Sequence, residues 1–370
     1  MKVLELARRH LQMDVSFLSE FRGGRQIYRE VTGQAGSFGI VPGAGPELPD
    51  TYCQQMIDGA LPNVVPDSQV DHRVRGLATT LERGIGSYIG VPLRLSDGSL
   101  YGTFCCMSRG PEQLTDRDAA FMAMLAEVLI ETLDAQQSAA QQREVISGIL
   151  ATGSVESVFQ PIMNLKNGTT IGYEALSRFT QANGAPDRVF ESAHATGLGV
   201  ELEMLAIQTS VRSLLQLPAN AYLAVNVSPS AALVLTEESF GSLGVDVSRL
   251  VLEVTETAAV AAYEKLRNHL QPLREQGLRI AIDDAGAGFA SLHHIVELRP
   301  DIIKVDKSLI QGVATDSSRR SAVRAFVTLA KDLEAATVAE GVETPADLDA
   351  VRALDISCAQ GYLIGQPGPI

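Results

Sequence analysis

The chain has 370 residues, 45% hydrophobic and 20% charged, with a formal net charge of −14, which suits two ordinary globular domains and excludes a wholly disordered chain. So acidic a balance excludes a broad basic surface. Polymeric nucleic acid and membrane are therefore not expected partners, and a phosphate-bearing substrate would need positive charge supplied at its own site.

The opening MKVLELARRHLQMDV places charges within its apolar residues, unlike a secretory leader, and no apolar run reaches bilayer length. A helix is expected over Val3–Leu11 and strands over Val15–Phe21 and Gln26–Val31, followed by a long Gly- and Pro-rich loop from Gly33 to Pro49. Ser87–Leu95 and Leu100–Met107, joined by Ser96-Asp97-Gly98-Ser99, read as a hairpin. Thr115 is the expected N-cap of a long helix with Asp116 and Asp118 in its first turn. Phe121, Leu125, Val128 and Leu129 form its apolar stripe, and it runs on into an Ala- and Gln-rich stretch. That stretch reads as a connector between domains, either a dimerising seam or a solvated linker. The four cysteines, Cys53, Cys105, Cys106 and Cys358, fit neither a disulfide framework nor a Cys-x-x-Cys metal site. Reduced thiols in a cytoplasmic protein are expected, with at least one of Cys105 and Cys106 pointing inward from its strand.

From Val155 the pattern becomes short strands alternating with helices. The strands are expected to end near Gln160, Glu174, Asn226, Glu253, Asp283, Asp306, Glu340 and Tyr362. Eight such alternations predict a closed (β/α)8 barrel, an α/β fold whose strand ends converge on one face. Glu174, Glu253, Asp283, Asp284 and Glu340 would meet there. Five carboxylates cannot stay ionised together without cations, and oxygen-only donors select Mg²⁺ or Mn²⁺. Asn226 can add a carbonyl oxygen, Asp283-Asp284 can bridge two ions, and Arg178 and Lys304 supply further positive charge. His293 and His294, adjacent on a helix, diverge too far to hold one ion together.

The ordered set FQPI, YEALSR, NVSP, EVTE, IDD, IKVD, AEGVET and QGYLIGQP, from about Arg143 onward, resembles the EAL family of cyclic di-GMP phosphodiesterases. That resemblance implies hydrolysis of cyclic di-GMP to linear pGpG. It implies one metal on Glu174, Asn226, Glu253 and Asp283 and a second on Asp283, Asp284 and Glu340. Lys304 and Glu340 would position or deprotonate water, Gln360 would complete the site, and Gln160, Leu176 and Arg178 would contact the dinucleotide. Glu256 would anchor the loop after Asp284, and the barrel would pair as a homodimer near that loop. The sequence departs from the family pattern at Ala285, Ala287, Phe289, Phe179 and Gln366, which makes a catalytically weak or silent cyclic di-GMP receptor the alternative. The first part, through MDVSFLSEF, DTYC, IGSYIGVPLRLSDGSLYGTFCC and LTDRD, resembles a GAF domain: an α+β fold on an antiparallel sheet that senses a small ligand of unknown identity, or serves only to dimerise. The expected organisation is thus a GAF-like domain over 1–134, a helical connector over 135–145 and the EAL domain over 146–370.

Overall fold

The computed structural model describes residues 2–180, 184–241, 243–254, 263–287 and 291–370. The chain divides into two compact units, Met1–Ser138 and Ala139–Ile370. Among the described residues no helix is long and apolar enough to cross a membrane.

The first unit is built on five strands, β1 (Val15–Arg22), β2 (Arg25–Gly33), β3 (Val64–Val65), β4 (Ser87–Arg94) and β5 (Leu100–Ser108), in the order β2-β1-β5-β4-β3 and paired antiparallel. The centre of the sheet is covered on both faces. Leu18, Phe104 and Cys106 pack with Leu4, Met122 and Ala126 on one side, whereas Phe17, Cys105 and Met107 pack with Tyr28, Phe38, Tyr52 and Tyr88 on the other. Alternation of side chains along β5 therefore buries both Cys105 and Cys106, on opposite faces. The β4–β5 turn closes as expected: Gly98 takes a φ of +83° and Asp97 Oδ1 accepts from Ser99 N–H at 2.8 Å. The stretch Gly33–Pro49 is more ordered than a plain loop, because Phe38 and Ile40 turn inward around a 3₁₀ turn at Ala35–Phe38.

The long helix spans Asp116–Thr152. Asp118 accepts from Thr115 N–H at 2.7 Å, so the carboxylate three residues on satisfies the donor at the cap. Phe121, Leu125 and Leu129 are already packed in their own unit, whereas Met124 and Val128 face solvent.

The second unit is a closed eight-stranded barrel in the order β10-β11-β12-β13-β6-β7-β8-β9. Its strands are β6 (Val155–Asn164), β7 (Thr170–Phe179), β8 (Tyr222–Val227), β9 (Leu250–Val254), β10 (Arg279–Ala285), β11 (Ile302–Val305), β12 (Ala336–Ala339) and β13 (Cys358–Ala359). Seven run parallel, but β6 is antiparallel to both neighbours. A strict alternation of strand and helix is therefore broken at the first step: β6 and β7 are joined by a tight hairpin through Asn167 and Gly168, whose φ is +72°. Gln160 consequently lies within its strand, opposite Glu174, and not at a strand end.

Interior side chains stack in layers because every second residue of a strand points inward. One layer is apolar, containing Ala224, Val251, Ala281, Ile302, Val338 and Cys358. Two residues further along those six strands stand Asn226, Glu253, Asp283, Lys304, Glu340 and Gln360. On the reversed β6 the step runs backward, from Ile162 in the apolar layer to Gln160. The polar site is thus the next storey above an apolar floor.

Candidate active site

Lys304 occupies the centre of the polar layer. Its Nζ lies 2.8 Å from Asp283 Oδ1, 2.9 Å from Glu253 Oε2, 2.9 Å from Glu340 Oε1 and 3.4 Å from Glu174 Oε2, and the residue is 1% exposed. An ammonium carries three protons and cannot serve four carboxylates equally. Asp283 Oδ1, although in contact with the cation, is a buried atom left without a hydrogen bond. Burial alone would lower the lysine pKa, but Asp283, Glu174, Glu253 and Glu340 raise it well above its ordinary value, so it stays charged.

The carboxylates divide by their neighbours. Glu174 is stabilised as an anion despite burial: besides Lys304, Gln360 Nε2 donates to it at 2.6 Å and Asn226 Nδ2 at 3.1 Å, and its pKa falls. Glu253 lacks those amide donors. Burial, aided by Glu174 and Asp283, pushes it well upward against the pull of Lys304. Burial first, then Asp283 and Glu174, raises Glu340 to about 8 against the same pull. Asp284 rises to about 6 through burial and the charges of Asp283 and Asp306. Its backbone φ of +54° is unusual for a residue with a side chain. Gly286, two residues on, has a φ of +106°, and a Cβ there would meet Leu309 Cδ1 at 2.4 Å, so the turn after Asp284 is closed to larger residues.

Asp283, Asp284 and Glu340 each offer an oxygen, and these lie within 4.8 Å of one another. The surplus of carboxylates over the Lys304 ammonium and the unbonded Gln360 Oε1 fit a hard divalent cation with oxygen ligands.

Gln160 joins the cluster from the reversed strand: its Oε1 accepts from Gln360 Nε2 at 2.9 Å and its Nε2 donates to Gly365 O at 3.0 Å. Leu176 and Arg178 follow Glu174 on β7 at two-residue steps. They lie where β7 continues past its pairing with β8, and the exposed Arg178 donates to Ser177 O at 2.8 Å. Glu256 and the loop residues Gly288, Phe289 and Ala290 lie outside the described residues. Phe179 packs edge-on against Phe190 at 5.3 Å, and Gln366 is exposed. His293 and His294 both lean on Tyr263, whose hydroxyl meets His294 Nδ1 at 2.9 Å.

Asp306 was not among the expected site residues. It is buried beside Asp284, caps the next short helix by accepting from Ser308 N–H at 2.9 Å, and adds another carboxylate to the site. The sequence signal was its position two residues after Lys304, on the strand alternation that also places the other site residues.

The EAL domain family matches residues 139–367 and the GAF domain family matches residues 1–133. The cyclic di-GMP phosphodiesterase NbdA of Pseudomonas aeruginosa is 33% identical over 242 residues, covering 62% of this chain and 31% of that protein. The cyclic di-GMP phosphodiesterase PdeF of Escherichia coli is 30% identical over 223 residues, covering 57% and 30%. The chain thus spans about a third of the length of these relatives. Among solved structures, the PaMucR phosphodiesterase in complex with c-di-GMP superposes with a TM-score of 0.55 at 29% identity, covering 62% of this chain and 98% of that one. A manganese and cyclic di-GMP complex of BlrP1 from Klebsiella pneumoniae gives 0.53 at 27% identity, covering 58% and 56%.

Proposed function

This chain belongs to the EAL domain family and carries a GAF domain before it, and from that premise we propose that it is a metal-dependent phosphodiesterase hydrolysing cyclic di-GMP to linear pGpG. The observation that carries the reading is the cluster of buried carboxylates around one lysine, with Gln360 Oε1 beside them left without a hydrogen bond. Such surplus negative charge suits a site that holds cations when it works.

Glu174, Asn226, Glu253 and Asp283 would hold one Mg²⁺ or Mn²⁺ ion, and Asp283, Asp284 and Glu340 a second, with Asp306 placed beside Asp284. Two such ions supply a lowered water pKa and neutralise charge on the scissile phosphate. The protein's own groups do the rest. Burial favours a proton on Glu340 while no ion is bound; once bound cations hold it ionised, it would accept a proton from the attacking water. Lys304 keeps its charge next to that carboxylate and steadies the phosphate oxygens. Gln360 ties Gln160 to Glu174, fixing the Glu174 carboxylate. Attack on phosphorus breaks one P–O3′ bond, and the departing oxygen takes up a proton. Arg178, exposed and extended past the barrel, would close on the dinucleotide only once it is bound. Control by the GAF domain and a homodimeric state complete the reading.

The test is product analysis by liquid chromatography with Mg²⁺ or Mn²⁺. Formation of pGpG by the native protein, lost in a folded Glu340→Gln variant, supports the reading. Tight binding of intact cyclic di-GMP without turnover would favour a receptor instead.

A further inference from the structure

Cys53, in the short helix Tyr52–Ile57, and Cys105, in β5, are 52 residues apart in the chain, yet their sulfurs lie 3.4 Å apart. Both are buried and neither is in a disulfide. Two structural observations set this pair apart from ordinary core cysteines. Polar donors surround Cys53: Gln26 Nε2 donates to its sulfur at 3.1 Å and the Tyr88 hydroxyl at 3.6 Å, while Tyr88 Oη also lies 3.4 Å from Cys105 Sγ. In addition, Cys53 lines a cavity of about 20 Å³ together with Gln26, Tyr28, Tyr52, Arg83 and Tyr88. That space takes about one water-sized molecule. It is far too small for a nucleotide or other organic ligand, but it suits a small oxidant.

We propose that Cys53 and Cys105 form a peroxide-responsive thiol pair in which Cys53 is attacked first and Cys105 resolves it into a disulfide. The cavity touches Cys53 and not Cys105, which sets the order of attack. The hydrogen bonds to Cys53 favour its thiolate, and its pKa lies below the ordinary thiol value although burial opposes this. Burial and the neighbouring Cys53 push Cys105 well upward, so it keeps its proton. The Cys53 thiolate attacks one oxygen of hydrogen peroxide. The O–O bond breaks, the other oxygen leaves as water after taking a proton, and a sulfenic acid remains. Cys105 sulfur then attacks the Cys53 sulfur, the S–S bond forms, and the sulfenic oxygen departs as a second water. Two thiols and one peroxide give one disulfide and two waters, which balances. Cys106, on the opposite face of the sheet, packs among Leu4, Phe104 and Met122 and has no part in this.

The test is to treat the full-length native protein with stoichiometric hydrogen peroxide, block remaining thiols before unfolding, and map the peptides. The expected result is loss of two of the four free thiols, a Cys53–Cys105 linked peptide, and full recovery with dithiothreitol. The linkage should persist in Cys106→Ser and vanish in Cys53→Ser, with circular dichroism checking that each variant is folded. If the native protein yields no linked peptide, or only sulfinic acid at Cys53, or a link through Cys106, the proposal is overturned, whatever the fate of the variants.

Discussion

Lys304 Nζ and Glu253 Oε2 lie 2.9 Å apart, and the two residues are each 1% exposed. A cation so fully withdrawn from water survives only while the carboxylates around it are present, and they depend on it in turn. Lys304→Met should therefore lower the stability of the metal-free protein by about 3–5 kcal/mol, the usual cost of breaking a buried pair. Added Mn²⁺ should recover most of the loss by supplying the missing positive charge. A thermal melt with and without Mn²⁺ decides it: an equal Tm for variant and native protein in chelator contradicts the central role given to Lys304.

Glu174→Ala should reduce hydrolysis by at least about a hundredfold, since even an outer-shell partner of a metal costs up to about that much and Glu174 is proposed as a direct ligand. Glu174 receives hydrogen bonds from Gln360, Asn226 and Lys304. Its removal should loosen the polar layer but leave the apolar floor of Ala224, Val251 and Val338 in place. Turnover at the native rate by a folded variant would be incompatible with the proposed site.

Stability without metal should fall as pH rises. A carboxyl whose folded pKa is raised binds its proton more tightly in the folded protein than in the unfolded chain. Folding then takes up protons, and stability is lost as pH climbs. Glu340 does this between its ordinary value of 4.5 and about 8, and Asp284 between 3.8 and about 6. Divalent ions compete with those protons. The Tm gained on adding Mg²⁺ should thus be larger at pH 8 than at pH 5. A gain that is flat across this range, or larger at pH 5, would count against ion binding at these carboxyls.

Mg²⁺ and Mn²⁺ should support turnover, whereas Ca²⁺ should support binding of the dinucleotide without cleaving it, because Ca²⁺ prefers longer bonds and more ligands. Calorimetric binding in Ca²⁺ beside product analysis in Mn²⁺ separates the two. Equal turnover in Ca²⁺, or turnover in excess chelator, would refute the assignment.

The homodimer, if it uses the long helix, should bury Met124 and Val128, since Leu125 and Leu129 are already covered. Light scattering should give twice the chain mass. Val128→Glu should weaken that association, and removal of residues 1–138 should change the turnover rate. A monomer at micromolar concentration whose isolated barrel turns over at the native rate would exclude the coupling.

Much of the site was readable in the sequence because strand alternation has period two: an apolar residue such as Ala281 or Ile302 is followed two positions on by Asp283 or Lys304. The reversal of β6 is signalled only by Asn167-Gly168 between apolar runs, a hairpin signal of the same kind as Asp97-Gly98 but set in a stretch whose other strands alternate with helices. What remained hidden depends on contacts between distant segments. The pairing of Cys53 with Cys105 cannot be deduced from spacing, and the inward use of Leu125 and Leu129 depends on which unit the helix packs against. Asp306 is ambiguous in the sequence, because a helix cap and a carboxylate beside Asp284 look alike there.

The reversed strand also bears on how the barrel comes into being. Phe159 exchanges backbone hydrogen bonds with Gly368, at 2.7 Å and 3.1 Å, and β6 pairs with β13 through Asn164 and Cys358. The earliest strand of the barrel is therefore held on one side by the latest. While the chain is still emerging from a ribosome, β6 and β7 can pair as a hairpin, but the far edge of β6 must wait unpaired for some two hundred residues. Contacts so distant in sequence slow folding, and an unpaired strand edge invites association with other chains. The barrel therefore closes only after the last of it has been synthesised, and in the interval it depends on whatever shields that edge.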